Sequence, residues 1–195
     1  MKTQNYLVCA SFILSNKLKV VHFFSGALLI LVLLSCGSIP IGRYNPNPSL
    51  AHGVVENVSF SSDITIINDQ PSTEDHLIPF KKTVVNYNTF TQSIVDALTM
   101  ELERNGIRIK DSSEKKIYIK VTNVDLQLRS PNFRAYIEAE VKSGKDHIEF
   151  FRVTRASYAS PFNLDTAPTK PLNAAFKDIV REIFENKHIQ AYIIN

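Results

Sequence analysis

The chain has 195 residues, 44% of them hydrophobic and 21% charged, a composition that suits one globular domain with its own core and leaves too little chain for two. Its formal charge of +3 sits in the first 35 residues, where Lys2, Lys17 and Lys19 stand without an acid, and beyond them nineteen basic residues face nineteen acidic ones. A neutral body has no electrostatic footprint for a phosphate backbone, which argues against nucleic acid as a main partner.

The N-terminal segment is the most specific feature. Val20 to Leu34 reads VVHFFSGALLILVLL, preceded by Lys17 and Lys19 and closed by Ser35-Cys36-Gly37. A charged region, an apolar run and a small residue before a cut make an export signal. The run of 15 residues falls short of the roughly 20 that a helix needs to cross a bilayer, so a permanent transmembrane anchor is a poor fit. Leu33-Leu34-Ser35-Cys36 resembles the lipobox of bacterial prolipoproteins, in which the leader is cut away and the cysteine is diacylated. That resemblance implies a signal peptide over 1–35, a palmitate-type lipid on Cys36 and attachment to a membrane without crossing it. Two acyl chains hold a protein stably where one holds it marginally. Gly37 stands where aspartate would signal inner-membrane retention, so the same resemblance implies the periplasmic face of the outer membrane. The other cysteine, Cys9, lies within the leader, so the processed chain has no pair for an internal disulfide and its core alone must hold it.

From Ser38 to Ser49 the chain reads SIPIGRYNPNPS, with three prolines, one glycine and no apolar periodicity. Residues 36–52 are therefore expected to be a semi-extended tether able to hold the domain, 53–195, a few nanometres off the lipid at ~3.1 Å per residue, unless Tyr44 packs on the domain and shortens the reach. Val54 to Ile67 is rich in β-branched residues and predicts one or two short strands, then a polar loop through Ser72 to Lys82. In the next segment Phe90, Ile94, Leu98 and Leu102 recur every four residues. They predict a helix capped by Asn88 or Thr89 and ended by Asn105-Gly106. Lys116 to Leu128 alternates but shifts phase between Val121 and Val124, which predicts a bulge near Thr122-Asn123. Phe133 to Val141 alternates apolar and polar residues, as a strand with one wet face does. Ser143 to Asp146 turns into a further strand, His147 to Tyr158. After a Pro-rich loop, Leu172, Phe176, Ile179, Val180 and Ile183 form the stripe of a last helix ending near Asn186, with QAYII as a short tail.

These elements predict an α+β two-layer sandwich: an antiparallel sheet of about four strands with two amphipathic helices on one face, in the order β-α-β-β-β-α. The leader, the strand before a helix that ends in Asn-Gly, the meander and the C-terminal amphipathic helix resemble the YajG-type and transport-auxiliary families of small periplasmic lipoproteins. The likeness covers Val54 to Phe184 in pattern, without a diagnostic motif, and implies an accessory role in the cell envelope.

Signatures of chemistry are sparse. His52, His76, His147 and His188 are scattered, no metalloprotease spacing occurs, and neither a nucleophile elbow nor a phosphate-binding loop is present. Asp69, Glu74, Asp75 and His76 cluster in one loop, but without a cation-binding order they are expected to be a solvated acidic turn. No catalytic residue, cofactor or metal site is expected. Arg129, Arg134, Arg152 and Arg155 alternate with Glu138, Glu140 and Glu149, which favours cross-strand ion pairs over a basic patch. Phe150-Phe151 is the oddity, since one of two adjacent aromatics in a half-buried strand must face outward. An outward Phe151 beside Tyr136 is the expected partner surface. The function expected is a membrane-anchored, non-catalytic interaction module with an envelope protein as partner. The alternative is a periplasmic ligand-binding, lipid-binding or enzymatic domain with a pocket between helices and sheet.

Overall fold

A computed structural model describes residues 42–55, 62–78, 83–129, 132–144, 147–158 and 169–194, within a compact unit that begins at Ile41. Cys36, the leader and residues 56–61 of the stretch expected to hold one or two short strands lie outside the described residues.

The elements are β1 (Asp63–Asn68), β2 (Asp75–Ile78), β3 (Thr83–Asn86), α1 (Tyr87–Arg104), β4 (Arg108–Ile109), β5 (Lys116–Arg129), β6 (Asn132–Ser143), β7 (His147–Tyr158), α2 (Thr169–Glu185) and α3 (Lys187–Ile194). The class is mixed α+β, with a five-stranded sheet in the order β4-β1-β5-β6-β7 and a separate ribbon of β2 and β3. The sheet is not wholly antiparallel. β5, β6 and β7 form the expected meander, whereas β1 runs parallel to both β4 and β5. The chain leaves β1, crosses over through the ribbon and α1, and returns in the same direction, and such a crossover joins parallel strands. The polar loop expected over 72–82 holds β2, and its residues 79–82 lie outside the described residues. Strands of four residues carry too little periodicity to stand out from their polar neighbours.

α1 starts earlier than expected. Pairing of Asp75 with Asn86 keeps the chain extended up to Asn86, and its side chain then caps the helix by accepting from Thr89 N at 3.0 Å. The other end is a Schellman closure, with Gly106 at φ +88° donating to Glu103 O and Ile107 donating to Leu102 O, each at 3.0 Å. Phe90, Ile94, Leu98 and Leu102 face the sheet, as does the α2 stripe of Leu172, Phe176, Ile179, Val180 and Ile183. Both helices cover the sheet face that carries Ile117, Ile119, Phe133, Ala135, Ile137 and Val141. Phe90, Phe133 and Phe176 are fully buried. Each stabilises the fold by roughly 1.5–3 kcal/mol, so a core of this size holds together without a disulfide. QAYII belongs to a third helix, started by Asn186, whose side chain accepts from His188 N at 2.9 Å and Ile189 N at 3.1 Å.

From Gly42 onward the expected tether is part of the fold. Tyr44 N donates to Val84 O at 2.9 Å and Val84 N donates to Gly42 O at 2.7 Å. The Tyr44 ring is buried against Phe90, which meets Phe176 edge-on, and its hydroxyl donates to Asn173 Oδ1 at 2.8 Å. Burial without a compensating cation raises the Tyr44 pKa well above the ordinary phenol range.

Candidate interaction surface

The bulge expected near Thr122-Asn123 is present, with the β5–β6 register shifting between Val121 and Asn123. It falls just beyond the end of β1, whose pairing with β5 stops at Ile119. Backbone groups freed there still need partners. The helix layer and the β1 exit supply them: Val121 N donates to Thr91 Oγ1 at 3.1 Å, Gln70 Nε2 donates to Val121 O at 2.6 Å, and Val124 N donates to the Tyr87 hydroxyl at 3.3 Å. The Tyr87 ring in turn stacks on His76 at 3.9 Å.

Beside the bulge, the sheet face turned away from the helices is open. The β6–β7 register opposes Ala139 to Phe151 and Glu140 to Phe150. Ala139 belongs to the core face, so Phe151 points inward, 8% exposed, and Phe150 points outward, 75% exposed. The orientation expected from sequence is therefore reversed, because strand alternation counts from the partner strand and not from either phenylalanine. Ile148 shares the outward face with Phe150, as does Tyr158 at the far end of the strand, and both are exposed. Tyr136 lies on this face, half-buried and opposite Thr154. A shallow depression of about 420 Å³ runs along Thr122, Glu138, Phe150 and Arg152.

Charges on the open face are largely matched. Arg152 Nε meets Glu138 Oε1 at 2.7 Å, directly across the ladder; Lys120 approaches Glu140 at 4.0 Å, and Lys142 lies over the Tyr118 ring at 5.9 Å. Arg155 points to the helix side and pairs with Asp178 of α2, which also holds Arg181 at 2.7 Å. The expected pairing of strand arginines thus holds for Arg152, while Arg155 takes a helix carboxylate instead. β7 has no second neighbour in the sheet among the described residues, so it is an edge with alternate backbone groups facing outward.

Other candidate places are structural or full. Asp69, Glu74, Asp75 and His76 do not converge: Asp75 pairs with Arg43 and accepts from Asn86 Nδ2 at 3.1 Å, and His76 lies in the stack on Tyr87. A polar depression of about 570 Å³ is lined by Asp63, Arg108, Lys110 and Lys115. Its cations are already engaged, Arg108 and Lys110 with Asp63, and Lys115 with Ser62 and Ile193 O. The hydrogen bond from Lys110, joined by the bond and charge of Arg108, holds the Asp63 carboxyl below the usual carboxylate range against a smaller effect of desolvation. The apolar space between sheet and helices, lined by Ile66, Leu98, Leu102, Ile117, Phe184 and Ile193, amounts to about 10 Å³. That is at most the room for a single water. One grouping escapes sequence inspection. His147, Glu149 and His188 come together, although His188 is far along the chain from the other two. Among the described residues no helix is long and apolar enough to cross a membrane.

No family model matches the sequence, so the resemblance to YajG-type and transport-auxiliary lipoproteins gains no support there, and no curated protein matches it. Several solved structures are similar in backbone course. Protein XCC0632 of Xanthomonas campestris, of family DUF330, is 17% identical, covering 74% of this chain and 89% of that chain at a TM-score of 0.49. Hypothetical protein CT253 of Chlamydia trachomatis is 9% identical, covering 68% and 98% at a TM-score of 0.45. A provisionally assigned lipoprotein of Caulobacter crescentus is 17% identical, covering 48% and 76% at a TM-score of 0.31.

Proposed function

We propose that this chain is a lipid-anchored, non-catalytic module of the bacterial envelope that holds a protein partner on the open face of its sheet, along β7. The observation that carries the reading is Phe150, a large aromatic three-quarters exposed beside Ile148 on a sheet edge. Aromatic side chains dominate binding energy where a partner can desolvate them, and an edge strand can accept an added strand through its outward backbone groups. The neighbouring charges are already matched within the face, so a partner covering Phe150 need not supply counter-charges for Arg152 or Glu138. The partner best suited is a protein segment in extended conformation that lays an apolar side chain over Phe150.

Anchoring rests on the lipobox-like Leu33-Leu34-Ser35-Cys36 and places the module at a membrane surface, with the outer membrane favoured by Gly37. The alternative of an interior ligand pocket is weakened by the filled space between helices and sheet.

Site-specific photo-crosslinking in living cells tests the surface. A crosslinker at position 150 should yield a discrete adduct, and one at the exposed helix residue Lys177 should not. Equal labelling from both positions, or none from 150, would sink the assignment of the face. Radiolabelled palmitate incorporation that is abolished by Cys36→Ser tests the anchor separately.

A further inference from the structure

We propose that His147, Glu149 and His188 form a binding site for a divalent first-row transition ion, zinc foremost. The three side chains bring their ligand atoms within 4.8 Å of one another. His147 Nε2 already lies 3.0 Å from Glu149 Oε1, and the two imidazole rings are 5.2 Å apart, centroid to centroid, at 37°. Ligands at zinc–nitrogen and zinc–oxygen lengths of about 2.0–2.2 Å in a tetrahedron stand about 3.3 Å apart, so the widest pair must close by roughly 1.5 Å. Side-chain rotation supplies that movement, because His147 and His188 are exposed and Glu149 is only partly buried. The fourth position faces solvent and would take a water.

The backbone holds the ligands in place from two directions. His147 and Glu149 are two residues apart on β7, and strand alternation points both toward the helix side, since Glu149 opposes the buried Val141. His188 sits in the first turn of α3, fixed by the Asn186 cap. α3 is pinned to the same end of the sheet. The Tyr192 hydroxyl accepts from Lys116 N at 3.0 Å, Lys115 Nζ donates to Ile193 O at 2.8 Å, and the Tyr192 ring lies 3.3 Å from where a side chain on Gly144 would begin. Gly144, at φ +68°, is the residue that permits both the turn after β6 and that approach.

Two imidazoles and one carboxylate select zinc and its neighbours over calcium or magnesium, which require more oxygen ligands. A bound ion would replace the His147–Glu149 hydrogen bond and tie the start of β7 to α3. The site lies on the helix side, away from Phe150, so it stands independently of the partner surface.

Titration of the purified, detergent-solubilised full chain with zinc alone, followed by calorimetry, tests the site. One ion per chain is expected, with a thermal midpoint that rises as zinc is added. His147→Ala and His188→Gln should each weaken binding by at least about tenfold while leaving the zinc-free midpoint unchanged, and His52→Ala should bind like the parent. Cobalt in place of zinc should give the visible absorption of a tetrahedral site. Absence of stoichiometric binding, or equal affinity in parent and both ligand variants, overturns the proposal.

Discussion

Glu101 offers the sharpest test of how the segment before β1 is held. It is fully buried in α1, with a side-chain exposure of 0%. One carboxylate oxygen accepts from Gly53 N at 2.6 Å and the other from Arg104 at 2.8 Å, while Arg104 also donates to Val55 O. A single buried charge therefore ties residues 53–55 to the helix. Removing one partner of a buried ion pair costs about 3–5 kcal/mol. Arg104 keeps a quarter of its side chain in solvent, so part of its charge can be rehydrated and the expected loss for Glu101→Ala is about 2–4 kcal/mol. Glu101→Gln preserves shape and one acceptor but turns an amide N–H toward a guanidinium N–H, and it should cost nearly as much. Against a total of about 5–15 kcal/mol the variants stay folded, and with a urea slope near 2 kcal/mol/M their midpoints should fall by about 1–2 M. A double-mutant cycle with Arg104→Ala should give a coupling of about 1–3 kcal/mol. Losses under about 0.5 kcal/mol for both Glu101 variants, with no coupling, would refute the account.

Phe150→Ser should change the unfolding free energy by no more than about 0.5 kcal/mol, as exposed substitutions do, and should abolish capture by a crosslinker placed at Ile148. Phe151→Ser should cost about 2–4 kcal/mol by opening the core. Equal stability losses in the two would place the outward side chain wrongly. The Asp63 carboxyl has a lowered folded-state pKa. Its stabilisation is therefore complete above the unfolded value, about pH 4, and is lost as pH falls through the lower folded one. Asp63→Asn should flatten the acid limb of an unfolding-midpoint titration below about pH 4, and parallel acid limbs would contradict this.

Long amphipathic elements were legible because burial imposes their period: the α1 stripe from Phe90 to Leu102, the α2 stripe from Leu172 to Ile183 and the phase shift of β5 all appear where expected. β4, at two residues, and the β2–β3 ribbon are too short to impose one. The parallel pairing of β1 depends on where the chain returns in space, which no local pattern records. Phe150 and Phe151 are a subtler case. Ile148 and Phe150 make as good an apolar alternation as Phe151 and Val153, so β7 alone is ambiguous. The answer lay in β6: a hairpin pairing Ser143 with His147 sets Phe151 across from Ala139, on the face already recognised as core. His147 and His188 meet only because Gly144 and Tyr192 bring α3 against the hairpin end.

Docking of Tyr44 changes what a lipid on Cys36 can do. Six peptide units separate Cys36 from Gly42, a span of at most about 22 Å, so the proposed lipid on Cys36 would have a shorter tether than one running on to His52. The docked segment packs on the helix layer through Tyr44, Phe90 and Asn173, and Phe150 lies on the opposite face of the sheet. The proposed partner surface and the segment leading toward Cys36 therefore lie on different sides of the fold. Tyr44→Ala removes the ring contact and the bond to Asn173 at a cost of about 3 kcal/mol. It should also release the backbone around Arg43 from its bonds to Val84. Trypsin then reports the change directly, because cleavage after Arg43 requires an extended, unpaired backbone. The variant should be cut there while α1 and the meander remain intact, and the parent should resist. Equal rates of cleavage in the two would mean that the segment is not held by Tyr44, and the short reach would no longer follow.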